Sequence, residues 1–187
     1  PIKNKTTSTV AGFVEPDRLY ELMTDKFHWD AVKADNYFID YQNYYTFLGV
    51  LSYRNMFVCA AEAFMKAGQN DRAGEMLDMC NEVMAQYPLE TIPIGFPGND
   101  YMVINMVKDY YLLGQADKAR AIAGSFSEDL LRTAAFYFDF YDWGQDEFET
   151  AGYYIYALAE ELKKGGDTKM SSDMVGRFNE MIGAVGE

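Results

Sequence analysis

Few side chains in this sequence have the type and spacing that chemistry requires. His28 is the sole histidine. Zinc needs several converging N, S or O ligands, and no second His or nearby Cys completes such a set. A Ser-His-Asp triad would require His28 to meet a serine and an acid from distant parts of the chain, and no spacing points to one. A solvent-facing or capping position is its ordinary role. The acidic run Asp139, Asp142, Asp146, Glu147 and Glu149 could supply paired carboxylates for hydrolysis or ligands for calcium. It lacks the alternating D-x-D-x-D-G order of a calcium loop, and reads more simply as a solvated loop entering a helix N-terminus. Gly165-Gly166 lacks phosphate-loop spacing and ends a helix. Cys59 and Cys80 sit on two facing helices, either as buried thiols, which suits their place on apolar stripes, or as a disulfide. No catalytic residue, metal ligand or cofactor is assigned on these grounds.

The aromatic residues are concentrated in two sets. One holds Tyr41, Tyr44, Tyr45, Phe47 and Tyr53; the other holds Phe136, Tyr137, Phe138, Phe140, Tyr141 and Trp143. Their bland role is core and inter-helix filling. Their functional role would be an aromatic-lined groove that docks a protein segment or a sugar. For that groove the candidate residues are Tyr41, Tyr44, Tyr45, Tyr53, Tyr137, Tyr141 and Trp143.

These residues must be positioned by helices. Phe57, Ala60, Ala61 and Phe64 recur at i, i+3, i+4 and i+7, one apolar helix face. Ala73, Met76, Leu77 and Cys80 repeat the spacing. Between the stripes lies Ala67-Gly68-Gln69-Asn70-Asp71, where Gly68 suits a left-handed C-cap and Asn70 or Asp71 could cap the next helix. A shift of 46 residues places Gly68 on Gly114, with stripes Val103, Met106, Val107, Tyr110 and Ala119, Ile122, Ala123, Phe126. A shift of 98 places it on Gly166, with Ile155, Leu158, Ala159, Leu162 and Ser171, Met174, Val175, Phe178. Three copies in phase predict three helical hairpins of tetratricopeptide type. The excess over a repeat of ~34 residues falls in an extended Pro-rich connector at 88–100 and in a second helix prolonged through 130–141, which should stop near Trp143-Gly144. Pro16 to Phe27 predicts a further short helix, Asp30 to Asn36 a loop, and Tyr41 onward a helix running into the first hairpin.

A formal charge of −13 and a pI near 4.4 exclude nucleic acid, whose phosphates would be repelled, and docking on an anionic membrane surface. No apolar run approaches the ~20 residues of a membrane span; Met56 to Met65 is interrupted by Glu62. The start at Pro1, without initiator Met or signal-like stretch, has the look of a piece of a longer polypeptide.

Val14-Glu15-Pro16-Asp17-Arg18-Leu19-Tyr20-Glu21-Leu22-Met23, followed by Lys26-Phe27-His28-Trp29, resembles a segment of a large family of polytopic Bacteroidota membrane proteins grouped with protein O-mannosyltransferases. Tyr53-Arg54-Asn55-Met56-Phe57, Ala60 to Ala63, Gly68 and Leu77-Asp78-Met79-Cys80 are similar to that family's tetratricopeptide-like tail. So are Asp109-Tyr110-Tyr111, Gly114 and Lys118-Ala119, while Pro1-Ile2-Lys3-Asn4 resembles the join to the membrane portion. The resemblance covers about Val14 to Tyr141. It implies a parent membrane glycosyltransferase using a lipid-linked sugar, with catalytic acids in loops outside this sequence. It also implies a tail on the extracytoplasmic, periplasmic side that holds acceptor proteins or orders the enzyme.

The expected architecture is therefore all-α, with tetratricopeptide-like hairpin repeats stacked as a short right-handed solenoid. Residues 1–13 would form a linker or arm, and 14–187 a single domain with repeats at about 53–86, 100–142 and 148–183 after one or two extra helices. The expected function is a non-catalytic protein-interaction tail. Its partner would be a protein segment or the parent's own membrane domain. A carbohydrate-binding module and an acidic-loop hydrolase are the alternatives.

Overall fold

The computed structural model describes residues 7–9, 12–34, 50–85 and 99–183. They are mostly helical and belong to two compact units, 1–88 and 89–187. The boundary falls at the Pro-rich connector, whose residues 86–98 lie outside the described set. Helix has already begun at Asn99.

The first described residues of the first unit form a small antiparallel ribbon. Strand β1 (Thr7–Thr9) pairs with β2 (Gly12–Val14) in the register Thr7↔Val14, Ser8↔Phe13 and Thr9↔Gly12. Helix α1 (Pro16–Glu21) continues into a π-helical turn, Leu22–Lys26. The expected loop after it contains a one-turn helix, α2 (Asp30–Lys33). The unit's core is the hairpin of α3 (Val50–Lys66) and α4 (Asn70–Val83). All eight residues of its two stripes are at most 1% exposed, and three of them are alanines, which let the backbones approach. Helix α1 closes one side: the Tyr20 ring meets Phe64 edge-on at 5.8 Å, and Arg72 lies 4.5 Å over Tyr20 while pairing with Asp17 at 2.8 Å. Trp29 closes another, donating from Nε1 to the Met23 carbonyl (2.7 Å) with its ring 5.0 Å from Phe57.

The second unit contains α5 (Asn99–Leu112), α6 (Ala116–Asp139), α7 (Tyr141–Lys164) and α8 (Thr168–Gly183). Helices α5 and α6, and α7 and α8, pair as hairpins. Their stripe residues are buried except Ile122 and Val175, which are half-buried.

The three elbows are built alike. Gly68, Gly114 and Gly166 have φ of 73°, 72° and 94°, the left-handed region glycine adopts without a Cβ penalty. The residue after each glycine donates its N–H back to the last stripe residue of the outgoing helix: Gln69 to Phe64 (2.8 Å), Gln115 to Tyr110 (2.8 Å) and Asp167 to Leu162 (2.9 Å). That is the bonding of a Schellman cap. The N-caps of α4 and α6 are Gln69 and Gln115, without side-chain capping bonds, so neither Asn70 nor Asp71 caps α4. Nothing lies within 4 Å of a Cβ built on Gly68 or Gly114, so the strain is confined to φ. Gly68→Ala and Gly114→Ala should each lower stability by about 1 kcal/mol, read as an earlier urea midpoint with an unchanged slope.

Candidate functional site

The α6–α7 corner carries the largest aromatic exposure near a predicted site. Phe140 leaves the helical conformation (φ −120°, ψ 34°), and its carbonyl accepts from the N–H groups of Trp143 (2.9 Å) and Gly144 (3.0 Å). The chain thus turns and restarts as α7, with a second non-helical residue at Gly144 (φ −122°, ψ 27°). Gly144 is buried against the Tyr137 ring, leaving no space for a Cβ.

The rings of this corner separate into two sets. Phe138 and Tyr141 turn toward the buried Phe148, at 5.7 and 5.6 Å between centroids. Phe136 and Phe140 pack on each other at 5.2 Å and are more than half exposed, while Trp143 is 93% exposed. Of the expected groove residues, Tyr137, Tyr141 and Trp143 lie on this stretch of chain, but Tyr137 packs on Gly144 and Tyr141 on Phe148, and only Trp143 stands clear of both. Tyr53 belongs to the other unit, where its ring meets Trp29 edge-on at 5.8 Å. Tyr41, Tyr44 and Tyr45 lie outside the described residues.

Phe136 and Phe140 are surface residues missing from the expected set. Their signal was available: they stand four and eight residues after Arg132, on the exposed face of α6, whereas the buried face runs through Phe126, Leu130 and Ala134.

The ionisable groups of this unit serve as latches. Tyr111 donates to Asp167 at 2.6 Å, and Arg120 pairs with the same carboxylate at 3.0 Å. The Tyr111 bond first, then Arg120, holds Asp167 below the usual carboxylate range; burial and that bond push the Tyr111 phenol up. Glu128 is lowered by its hydrogen bond from Arg177, and Glu160 by that from Lys164. A general acid would need the opposite displacement. Cys59 and Cys80 are buried thiols with no disulfide between them. His28 is exposed. Among the described residues no three His, Cys, Asp or Glu side chains gather closely enough to hold a metal ion, the 139–149 carboxylates included.

Compared with protein-family models, curated proteins and solved structures, the chain matches none. No described helix is long and apolar enough to cross a membrane. The functional reading therefore rests on the corner's own chemistry.

Proposed function

We propose that this chain is a non-catalytic interaction module, a short right-handed stack of tetratricopeptide-like hairpins whose α6–α7 corner docks an extended protein segment. One observation carries the reading: on one short stretch of chain Trp143 is 93% exposed and Phe136 and Phe140 are 57% and 56% exposed. Large exposed apolar side chains grouped in this way mark interaction sites, and Trp and Tyr are enriched among the residues that dominate protein interfaces. The resemblance of residues 14–29 and 53–80 supports placing the module as the periplasmic tail of a membrane protein related to O-mannosyltransferases. There it would hold an acceptor segment or pack on the parent's own membrane domain.

The test is selection of short random peptides on the immobilised full chain. Binders are expected, with affinities falling about tenfold or more in Trp143→Ala and Phe140→Ala and helical circular dichroism unchanged. Failure to select binders, or binders indifferent to both substitutions, would overturn the docking role. A glycan array run in parallel tests the carbohydrate alternative; signal lost in Trp143→Ala would reassign the corner to sugar.

A further inference from the structure

Resting on that docking role, we infer that the segment received at the α6–α7 corner is cationic, presenting Lys or Arg side chains to its rings. Asp139, Asp142, Asp146, Glu147 and Glu149 surround the exposed rings in sequence and are all exposed. None has an ion-pair partner among the described residues, although Gln145 donates to Glu149 at 2.8 Å. Elsewhere in the same unit, cations are matched to acids: Arg120 to Asp117 and Asp167, Arg132 to Asp129, Lys164 to Glu160 and Glu161, Lys169 to Asp173, and Arg177 to Glu128. Between Arg132 and Lys163 the sequence contains no Lys, Arg or His at all. Among the described residues, then, no cation is paired with the carboxylates of this corner.

Helix electrostatics explains only part of this arrangement. Asp142 favours the positive N-terminal end of α7. Asp139 is the last residue of α6, where a carboxylate meets the negative end of the helix dipole. Glu149 lies beyond the first turn of α7, out of the dipole's reach. Asp142 and Asp146 lie on either side of the break at Gly144 and add two negative charges, unpaired among the described residues, to the corner. A cation from outside would neutralise these carboxylates and could stack on the exposed rings at the same time. The molecule already builds this combination internally: Arg72 stacks on Tyr20 while its guanidinium pairs with Asp17.

Three synthetic peptides of equal length and aliphatic content, differing only in Arg, Gln or Glu at alternate positions, test the inference by fluorescence anisotropy against the full chain. The Arg peptide should bind about tenfold or more tightly than the Gln peptide and weaken as salt is raised; the Glu peptide should not bind. Trp143→Ala should reduce Arg-peptide affinity, as should the triple variant Asp139→Asn, Asp142→Asn, Asp146→Asn. A control triple, Asp30→Asn, Asp71→Asn, Glu180→Gln, removes the same charge elsewhere and should leave affinity unchanged. If the control weakens binding as much, the peptide is reading net charge and the inference is overturned. Equal binding of the Gln peptide, still lost in Trp143→Ala, would overturn the cationic preference while leaving the docking role standing. No binding by any peptide would overturn both.

Discussion

Phe178→Ala should destabilise the second unit by about 3–5 kcal/mol, and the same substitution should reverse the effect of a change at Gly152. Phe178 on α8 is 3% exposed, stacks on Phe148 at 5.5 Å and meets Tyr156 edge-on at 5.8 Å. A Cβ built on Gly152 of α7 would stand 2.7 Å from Phe178 Cζ, far inside contact distance. Gly152 thus gives up the roughly 1 kcal/mol of helix propensity that alanine would supply, so that the ring can lie against the α7 backbone. With Phe148 and Tyr156 holding the ring, Gly152→Ala should cost about 1–3 kcal/mol through overpacking. In the Phe178→Ala background the clash is gone, and Gly152→Ala should instead stabilise by about 1 kcal/mol. Urea denaturation of the four proteins in this double-mutant cycle, followed by circular dichroism, measures the coupling. An identical cost in both backgrounds would mean that ring and glycine do not share the space assigned to them.

Gly152 also shows where legibility in the sequence ends. Gly68, Gly114 and Gly166 could be placed at elbows because each falls between two apolar stripes, where local pattern and backbone need coincide. Gly152 is required by a neighbour distant in sequence, Phe178, and no local pattern reveals it. The β1–β2 ribbon was hidden because a Thr/Ser-rich composition serves a linker and a short strand equally well. Helix α2 is too short to show a period. Asn70 looked like a cap by residue type, but Gln69 holds the N-cap position of α4 and its N–H is already engaged in the elbow. At the candidate site, the run of rings from 136 to 143 announced itself by composition. Its division into inner and outer members follows from the phase of α6 and the break at Phe140, and only the first of these is legible in sequence.

Raising the pH above 9 should weaken the first unit, in part through one thiol. Cys80 is 1% exposed, and burial pushes it from an ordinary value near 9.0 up to about 12, with Arg54 opposing only in part. The unfolded chain releases this proton near pH 9, while the folded one keeps it until about 12. Across that window the unfolded state binds fewer protons, so stability must fall as pH rises, by up to about 1.4 kcal/mol per pH unit; below pH 9 both states hold the proton and no slope arises. Cys80→Ala removes a buried sulfur and should cost about 1 kcal/mol at neutral pH, yet it also removes this slope. The two stability profiles should therefore cross about one unit above pH 9, with the alanine protein the more stable beyond the crossing. The Tyr20 phenol, raised chiefly by its hydrogen bond to Glu75, titrates in both proteins and cancels in the comparison. With Trp143→Phe as the common background, Trp29 is the only indole left, so urea titrations followed by its fluorescence report the first unit alone. Parallel profiles from pH 8 to 11 would mean that Cys80 ionises without opening the hairpin, and that the seam between α3 and α4 admits water.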